Sequence, residues 1–444
     1  MKHFLLIFFA ALVVQLCWIA ATAYPPGISL HQQGEYSERA WYFRHGLGMI
    51  RASEPSEFSP QTDFPATFAY RQTFRRPLPI LLIAVDQIIL GDQNPNLQRI
   101  PQAVLGAVAV ACLYQAAFLW WGYWPALLVA IAYMFYPYNV SKNIQLEFCD
   151  GTLTNICVCG LLLALAFWQR KPDWRVSLVM GIITGLFALV RYDGGAVMIL
   201  APLYMLWWMG GNFKRWIKHL AWFLAPAILC LLPWIIYVHQ VDGIWGMGSG
   251  SGFGLWEVYN DGVYEYYPHQ SIDVGIEAYW QEIPWPTRQA LLESKNGYAM
   301  DHLMTQMALK WIRQNPFKAL ELIPRKIWAG FSPFLSPTVE VGRANVQMER
   351  WLYFAWFAPV LACYLIMLIR QRRTWPVWFA AIIPIAGFFA VTIMIFAHTR
   401  HRTPYDGVFF LLAAGAFAGR NCPAALLAAQ HGKSAMKRND SGKT

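Results

Sequence analysis

VWFAAIIPIAGFFAVTIMIFAHTRHRTPYDGVFFLLAAGAFAG, residues 377–419, sets a short cationic turn between two apolar runs. The first run has the roughly 20 apolar residues that a helix needs to cross the hydrocarbon core of a bilayer. Lipid offers no hydrogen-bond partner to an open backbone, so a spanning segment is either a helix or part of a closed barrel. Barrel strands alternate apolar and polar residues, and these runs do not. The stretch therefore sets the fold class as an all-α polytopic membrane protein. The composition agrees: of 444 residues, 57% are hydrophobic and 14% charged.

Working outward, about ten transmembrane helices are expected, near 4–23, 100–119, 124–140, 151–168, 176–192, 194–209, 219–239, 351–369, 376–397 and 406–420. Cations decide the orientation. Lys2, Arg170/Lys171/Arg175, Lys214/Arg215/Lys218, Arg370/Arg372/Arg373 and the tail cations Lys433, Lys437, Arg438 and Lys443 then share one side. The positive-inside rule makes that side cytoplasmic, along with both termini. Of the 25 acidic residues, only Asp173 and Asp440 fall there. The net charge of +10 thus reflects membrane orientation, and no nucleic-acid partner is expected. This scheme requires that PLPILLIAVDQIIL, residues 77–90, not cross the membrane. It is short for a span and holds Asp86, so it is expected to lie at the outer face. The first run ends in ATA before Tyr24, which resembles a signal-peptidase site, but its apolar stretch is longer than usual and a retained helix is expected.

Four parts follow. Residues 1–239 form a transmembrane catalytic module with an external loop at 24–98, and residues 240–348 form a second external loop region. Residues 349–420 carry the last spans, and 421–444 a basic cytoplasmic tail. The eight cysteines fall almost entirely in apolar runs, with none in either long loop. Disulfides are therefore not expected to staple the external regions, and no pair has zinc-site spacing in a polar context.

Against this background the turn 398–407 breaks the charge rule, since its cations lie outside. Ionisable groups against a membrane are costly and point to function. Four external groups stand out. Glu35 and Glu38, in GEYSERAWYF, are candidate general bases for an acceptor hydroxyl, though most such acids are merely solvated. Arg75 and Arg76 precede the interfacial helix; a guanidinium fork suits phosphate, and snorkelling to headgroups is the alternative. Lys142, Glu147 and Asp150 cluster in a short turn that suits phosphate or a metal, although Asp150 also suits a helix N-terminus. Arg191 and Asp193 emerge beside His398, Arg400, His401 and Arg402. Pro404 favours an extended residue before it, and Asp406 is placed to cap the last helix. GIWGMGSGSGFG, from residue 243, has the glycine density of a mobile lid or a linker. Asn315 with Pro316 marks a helix start. No glycine fingerprint for a nucleotide opens a βα unit.

Several segments, in order along nearly the whole chain, resemble the polyprenyl-phosphate-dependent glycosyltransferases of the GT-C fold. These are relatives of protein O-mannosyltransferases and the lipid A aminoarabinose transferase. The segments are GEYSERA (34–40), RRPLPILL…QRIPQ (75–102), NIQLEFCD (143–150), GLFALVRYDG (185–194), GSGSGFGLWEVYND (248–261), MALKWIRQNPFKALELIPRKI (307–327) and HTRHRTPYDGVFFLLAAGAF (398–417). The resemblance implies a GT-C-like fold with two extracytoplasmic loop regions in a bacterial inner membrane, and a site on the periplasmic face. It implies inverting transfer of a sugar from a polyprenyl phosphate to a lipid, glycan or protein acceptor. Glu35 would be the base, with Glu38 as its alternate and Glu147 a third catalytic candidate. Arg400 and Arg402 would hold the donor phosphate, aided by Arg75, Arg76 and Arg191. Asn260, closing the glycine-rich stretch, is a further candidate. No cofactor is firmly implied, and a divalent cation at Glu147 or His398 is left open. His401 stands where relatives carry Tyr.

The rival class is a transporter or flippase for a lipid-linked or anionic substrate. Transporters carry repeats and mid-membrane charges, whereas here charge crowds one face. A reporter cysteine at Lys171 is expected to react only with a cytoplasmic maleimide, and one at Glu265 only with an external one; the reverse pattern would overturn the orientation.

Overall fold

The computed structural model describes residues 2–25, 28, 34–50, 73–91, 94–141, 144–269, 272–292, 294, 296–334, 344–395, 398–419 and 421–429. Lys142 and the tail cations lie outside the described residues. Only helices and their connections occur among them.

The N-terminal half runs α1 (Lys2–Ala21), α2 (Glu35–Arg44), α3 (Pro77–Leu90), α4 (Pro95–Trp121), α5 (Tyr123–Met134), α6 (Cys149–Arg170), α7 (Trp174–Ala188), α8 (Tyr192–Trp208) and α9 (Phe213–Asp242). Then come α10 (Ser251–Trp256), α11 (Asp261–Tyr266), α12 (Ile272–Glu282), α13 (Trp285–Leu292), α14 (Gly297–Gln314) and α15 (Pro316–Phe331). The chain closes with α16 (Ala344–Arg370), α17 (Ile382–Met394) and α18 (Asp406–Ala414).

Six helical stretches among the described residues are long and apolar enough to cross a membrane: α1, α4, α6, α9, residues 350–370 of α16, and residues 372–394 ending in α17. The ten expected runs are all largely helical, but α5 has 12 residues, α7 has 15 and α18 has 9, shorter than a full crossing requires. Residues 77–90 form a separate 14-residue helix, as their length suggested.

Capping follows the local sequence. Asp173, at the basic-loop end, accepts from the Arg175 amide at 2.8 Å and starts α7. Asn212 starts α9 in the same way, accepting from the Arg215 amide at 3.1 Å. α4 and α6 are mostly buried and form the centre of the bundle, while α1, α9 and α16 keep most of their surface outward. Their outward residues stay apolar (Leu6, Phe9 and Leu229 are each more than half exposed), as expected of a face solvated by lipid. At the basic-loop end, Gln169 knits four elements. It accepts from Trp120 Nε1 at 2.9 Å, donates to Val377 O at 2.8 Å, and donates to the Tyr204 hydroxyl.

α7 and α9 touch most closely at a GxxxG pair. A Cβ on Gly181 would sit 2.1 Å from Phe223 O, and one on Gly185 would sit 2.9 Å from the Ala227 backbone. Small residues four apart let two helix backbones approach in lipid, where packing rather than hydrophobicity drives association. Residues 251–331 gather around their own apolar core, which includes Trp256, Trp280, Met304, Trp311 and Leu322.

Gly185→Leu is expected to force α7 from α9 at a cost of about 1–3 kcal/mol or more. A melting temperature unchanged from wild type in detergent would contradict this contact.

Candidate active site

At the end of the bundle opposite the basic loops, helix termini surround a cavity of about 720 Å³. Its wall takes Glu35 and Tyr36 from α2, and Phe74, Arg75 and Arg76 from the approach to α3. It takes Glu147, Asp150 and Gly151 at the start of α6, and Arg191–Asp193 from the α7–α8 turn. Residues 250–257 form one side, and Val391, Met394 and Ile395 at the end of α17 form an apolar edge. Arg400, His401 and Pro404 complete it. Segments more than 360 residues apart in sequence thus meet in one space.

Glu35 opens α2. Its carboxylate receives Arg75 Nη2 at 2.9 Å and Arg39 Nε at 2.9 Å. Burial alone would raise its proton affinity, but the Arg75 and Arg39 guanidiniums outweigh burial and hold the carboxyl well below the usual range. Arg39 is fixed by a second bond to Met49 O at 2.7 Å, whereas the Arg75 side chain is 44% exposed. Glu38, one turn along, is buried and not part of the cavity wall. Three residues apart, the two acids lie on neighbouring faces of α2, and only Glu35 reaches the cavity wall.

Arg191 is the hinge of the opposite wall. It pairs with Asp193 at 3.3 Å and reaches Asp150 at 3.6 Å. Asp193 in turn accepts from the Tyr405 hydroxyl. Arg76 donates to Met247 O and lies 4.0 Å over the Tyr192 ring. Burial, followed by the charges of Arg191 and Arg400, pushes the His401 imidazole well below its ordinary value, so it is neutral at neutral pH.

The turn 398–405 is not extended. Residues 399–402 are α-helical, residues 403–405 continue as a 3-10 turn, and α18 follows directly. Thr403 is helical despite preceding Pro404, and its hydroxyl closes the turn on Arg400 O at 2.9 Å. His398 caps this turn, its Nδ1 accepting from the Arg400 amide at 3.0 Å. A helical turn sends Arg400 and Arg402 to opposite sides. Arg400, His401 and Pro404 face the cavity. Arg402 is fully buried, pairs with Asp406 at 3.0 Å, donates to Ser332 O at 3.2 Å and lies 4.1 Å over Phe357. The expectation that Arg402 joins Arg400 on a phosphate is therefore not met by its position. Asp406 is no helix cap either; it accepts from Tyr136 at 2.6 Å and Tyr353 at 3.1 Å.

Two further expectations change. Asn260 is a buried helix cap, accepting from the Val263 amide at 2.8 Å and donating to Trp256 O at 2.8 Å, and it is not in the cavity wall. The glycine-rich stretch is pinned rather than a free spacer. Asp301 Oδ1 accepts from the Gly250 and Phe253 amides, each at 2.9 Å, and Gly250 takes a φ of 115° that other residues resist. Lys326 ties α15 to the end of α17, donating to Tyr259 Oη and Ile393 O at 2.9 Å each. Asn315 does precede α15, but its side chain donates to Trp311 O instead of capping.

Glu147 is exposed on the cavity wall. Among the described residues no three His, Cys, Asp or Glu side chains gather as a metal's ligands would.

Residues 75–237 match the family model described as dolichyl-phosphate-mannose-protein mannosyltransferase. Two solved structures of the Archaeoglobus fulgidus oligosaccharyltransferase are similar in fold. One, tethered to an acceptor peptide, superposes with a TM-score of 0.53 at 16% identity, over 94% of this chain and 49% of that one. The other, AglB with an inhibitory peptide and a dolichol-phosphate, gives 0.51 at 15% identity, over 97% and 56%.

The fold is GT-C. The matched segment covers α3 to most of α9, with Arg75, Arg76, Glu147, Asp150 and Arg191 inside it. The chain spans about half the length of the GT-C structures it matches. No curated protein matches the sequence.

Sequence reasoning overlooked Tyr36, Tyr192 and Glu257 as wall residues, and the Asp193–Tyr405 bond. Tyrosines in an aromatic-rich membrane chain give no local sign of lining a site.

Arg402→Met alone is expected to cost about 3–5 kcal/mol by stranding Asp406. The double change with Asp406→Leu should recover most of that. Equal melting temperatures for the single variant and wild type would refute the structural role.

Proposed function

We propose that the cavity is the transfer site of a membrane glycosyltransferase that moves a sugar from a polyprenyl phosphate to an acceptor hydroxyl at the outer face. The observation that carries this is the convergence of four guanidiniums, Arg75, Arg76, Arg191 and Arg400, with the Glu35 carboxylate in one cavity edged by apolar residues of α17. Guanidinium forks match a phosphate's oxygens, and the apolar edge suits a lipid chain leaving toward the bilayer. The neighbour AglB has been seen with a dolichol-phosphate, and that lends weight to a donor of this class.

A sugar on a phosphate is already activated, because phosphate leaves readily once its charge is met. Arg400 is the leading phosphate ligand, with Arg76 and Arg191 on the same wall. Cations placed where charge develops in the transition state lower the barrier. The acceptor oxygen attacks the anomeric carbon in a single displacement, which inverts it. Glu35 takes the acceptor's proton, a contribution of typically about 10²–10⁴-fold. Neutral His401 can hydrogen-bond to the sugar or acceptor without adding charge. With Arg402 and Asn260 committed to the core, neither has a part in the chemistry.

The test is to incubate the purified chain in nanodiscs with a panel of polyprenyl-phosphate sugars and assay donor consumption. At least one donor should be consumed, with Glu35→Gln slower by about 100-fold and Arg400→Ala markedly weaker in donor use. Absence of turnover and of binding across the panel would refute the proposal.

A further inference from the structure

Glu35 presents a difficulty as the base. Arg75 grips both of its oxygens, with Nε at 3.1 Å from each and Nη2 at 2.9 Å, while Arg39 holds Oε1. A carboxylate so fully engaged is a weak proton acceptor. The two arginines are not equivalent. Arg39 is buried and has a second anchor on Met49 O. Arg75 lies on the cavity wall beside Arg76 and Phe74, with nearly half its side chain exposed. It can leave Glu35 without leaving the cavity.

We propose that Arg75 is an exchange residue: it pairs with Glu35 until a lipid-linked phosphate enters, then transfers its guanidinium to that phosphate and frees Glu35 to act as base. This rests on the transfer site proposed above and adds an order of events. The donor's phosphodiester carries one charge, as a carboxylate does, and accepts the same fork, so the exchange replaces one charge-assisted pair with another, and Arg75's hold strengthens as the leaving phosphate gains its second charge. Once Arg75 has moved, Glu35 retains Arg39 alone, and its proton affinity rises toward the ordinary range. In the transfer step the acceptor O–H proton goes to Glu35 and the acceptor oxygen bonds the anomeric carbon. The anomeric carbon–oxygen bond breaks, and its electron pair goes to the phosphate that Arg75 now holds. The base is thus competent only when a donor is present, which protects the site from idle proton exchange.

The exchange predicts competition between Glu35 and the phosphate for one guanidinium. The probe is undecaprenyl phosphate without sugar, titrated into the full chain in nanodiscs, so that binding is read apart from chemistry. Glu35→Gln should bind the probe several-fold tighter than wild type, because Arg75 is released. Arg75→Ala should bind it about tenfold weaker. The double variant should match Arg75→Ala, with the Glu35→Gln gain gone, and Arg75→Lys should recover part of the affinity. If Glu35→Gln binds no tighter, or if its gain persists without Arg75, the exchange is wrong even where Glu35→Gln abolishes transfer. If Glu35→Gln binds tighter yet transfers normally, the exchange stands and the base assignment falls. A wild-type chain that does not bind the probe refutes both.

Discussion

A guanidinium removed from water must be paired, and Arg191 meets that need by holding three parts of the chain together. It bridges Asp150 at the start of α6 and Asp193 at the start of α8, and Asp193 accepts the Tyr405 hydroxyl from the turn before α18. Leaving any one of these groups alone would strand a buried or half-buried charge, which is far costlier than the pair itself is stabilising. The network therefore fixes the register of the α7–α8 turn against the C-terminal turn.

The last turn divides its charges by helical geometry. One side of residues 399–405 offers Arg400 and His401 to the cavity, while the other sends Arg402 into the core against Asp406, Tyr136, Tyr353 and Phe357. The buried pair anchors the turn, and the anchored turn presents the exposed cation. The 250–257 side of the cavity is held similarly. Asp301 caps the glycine-rich stretch from α14, and Lys326 reaches from α15 to the end of α17. Burial pulls the Lys326 ammonium down to about 7, so its stabilising bonds come from a group near its switching point.

Much of the fold was legible in the sequence because lipid imposes strong, local rules. Apolar run length gave the helices, and Asp86 and shortness set α3 apart. The GxxxG at Gly181 and Gly185 is also readable, as small residues four apart in an apolar run. The site was legible only in part. Glu35, Arg75, Arg76, Arg191, Arg400 and His401 do line one cavity, along with Glu147 and Asp150. Arg402, His398, Glu38 and Asn260 were chosen on the same grounds and do not. Residue type and neighbourhood are alike for both groups; what separates them is which way each helical turn points.

The sequence by itself determined that this chain is a bundle of membrane helices with its unusual charges gathered at one end, since hydrophobic length and charge placement act locally along the chain. Only the tertiary structure decided which of two arginines two residues apart meets the cavity, that the glycine-rich stretch is clamped by Asp301, and that Glu35 is gripped by Arg75 from 40 residues away. Those outcomes depend on contacts between segments distant in sequence. A buried charge takes whichever partner the packing brings within reach, and no local pattern encodes that choice.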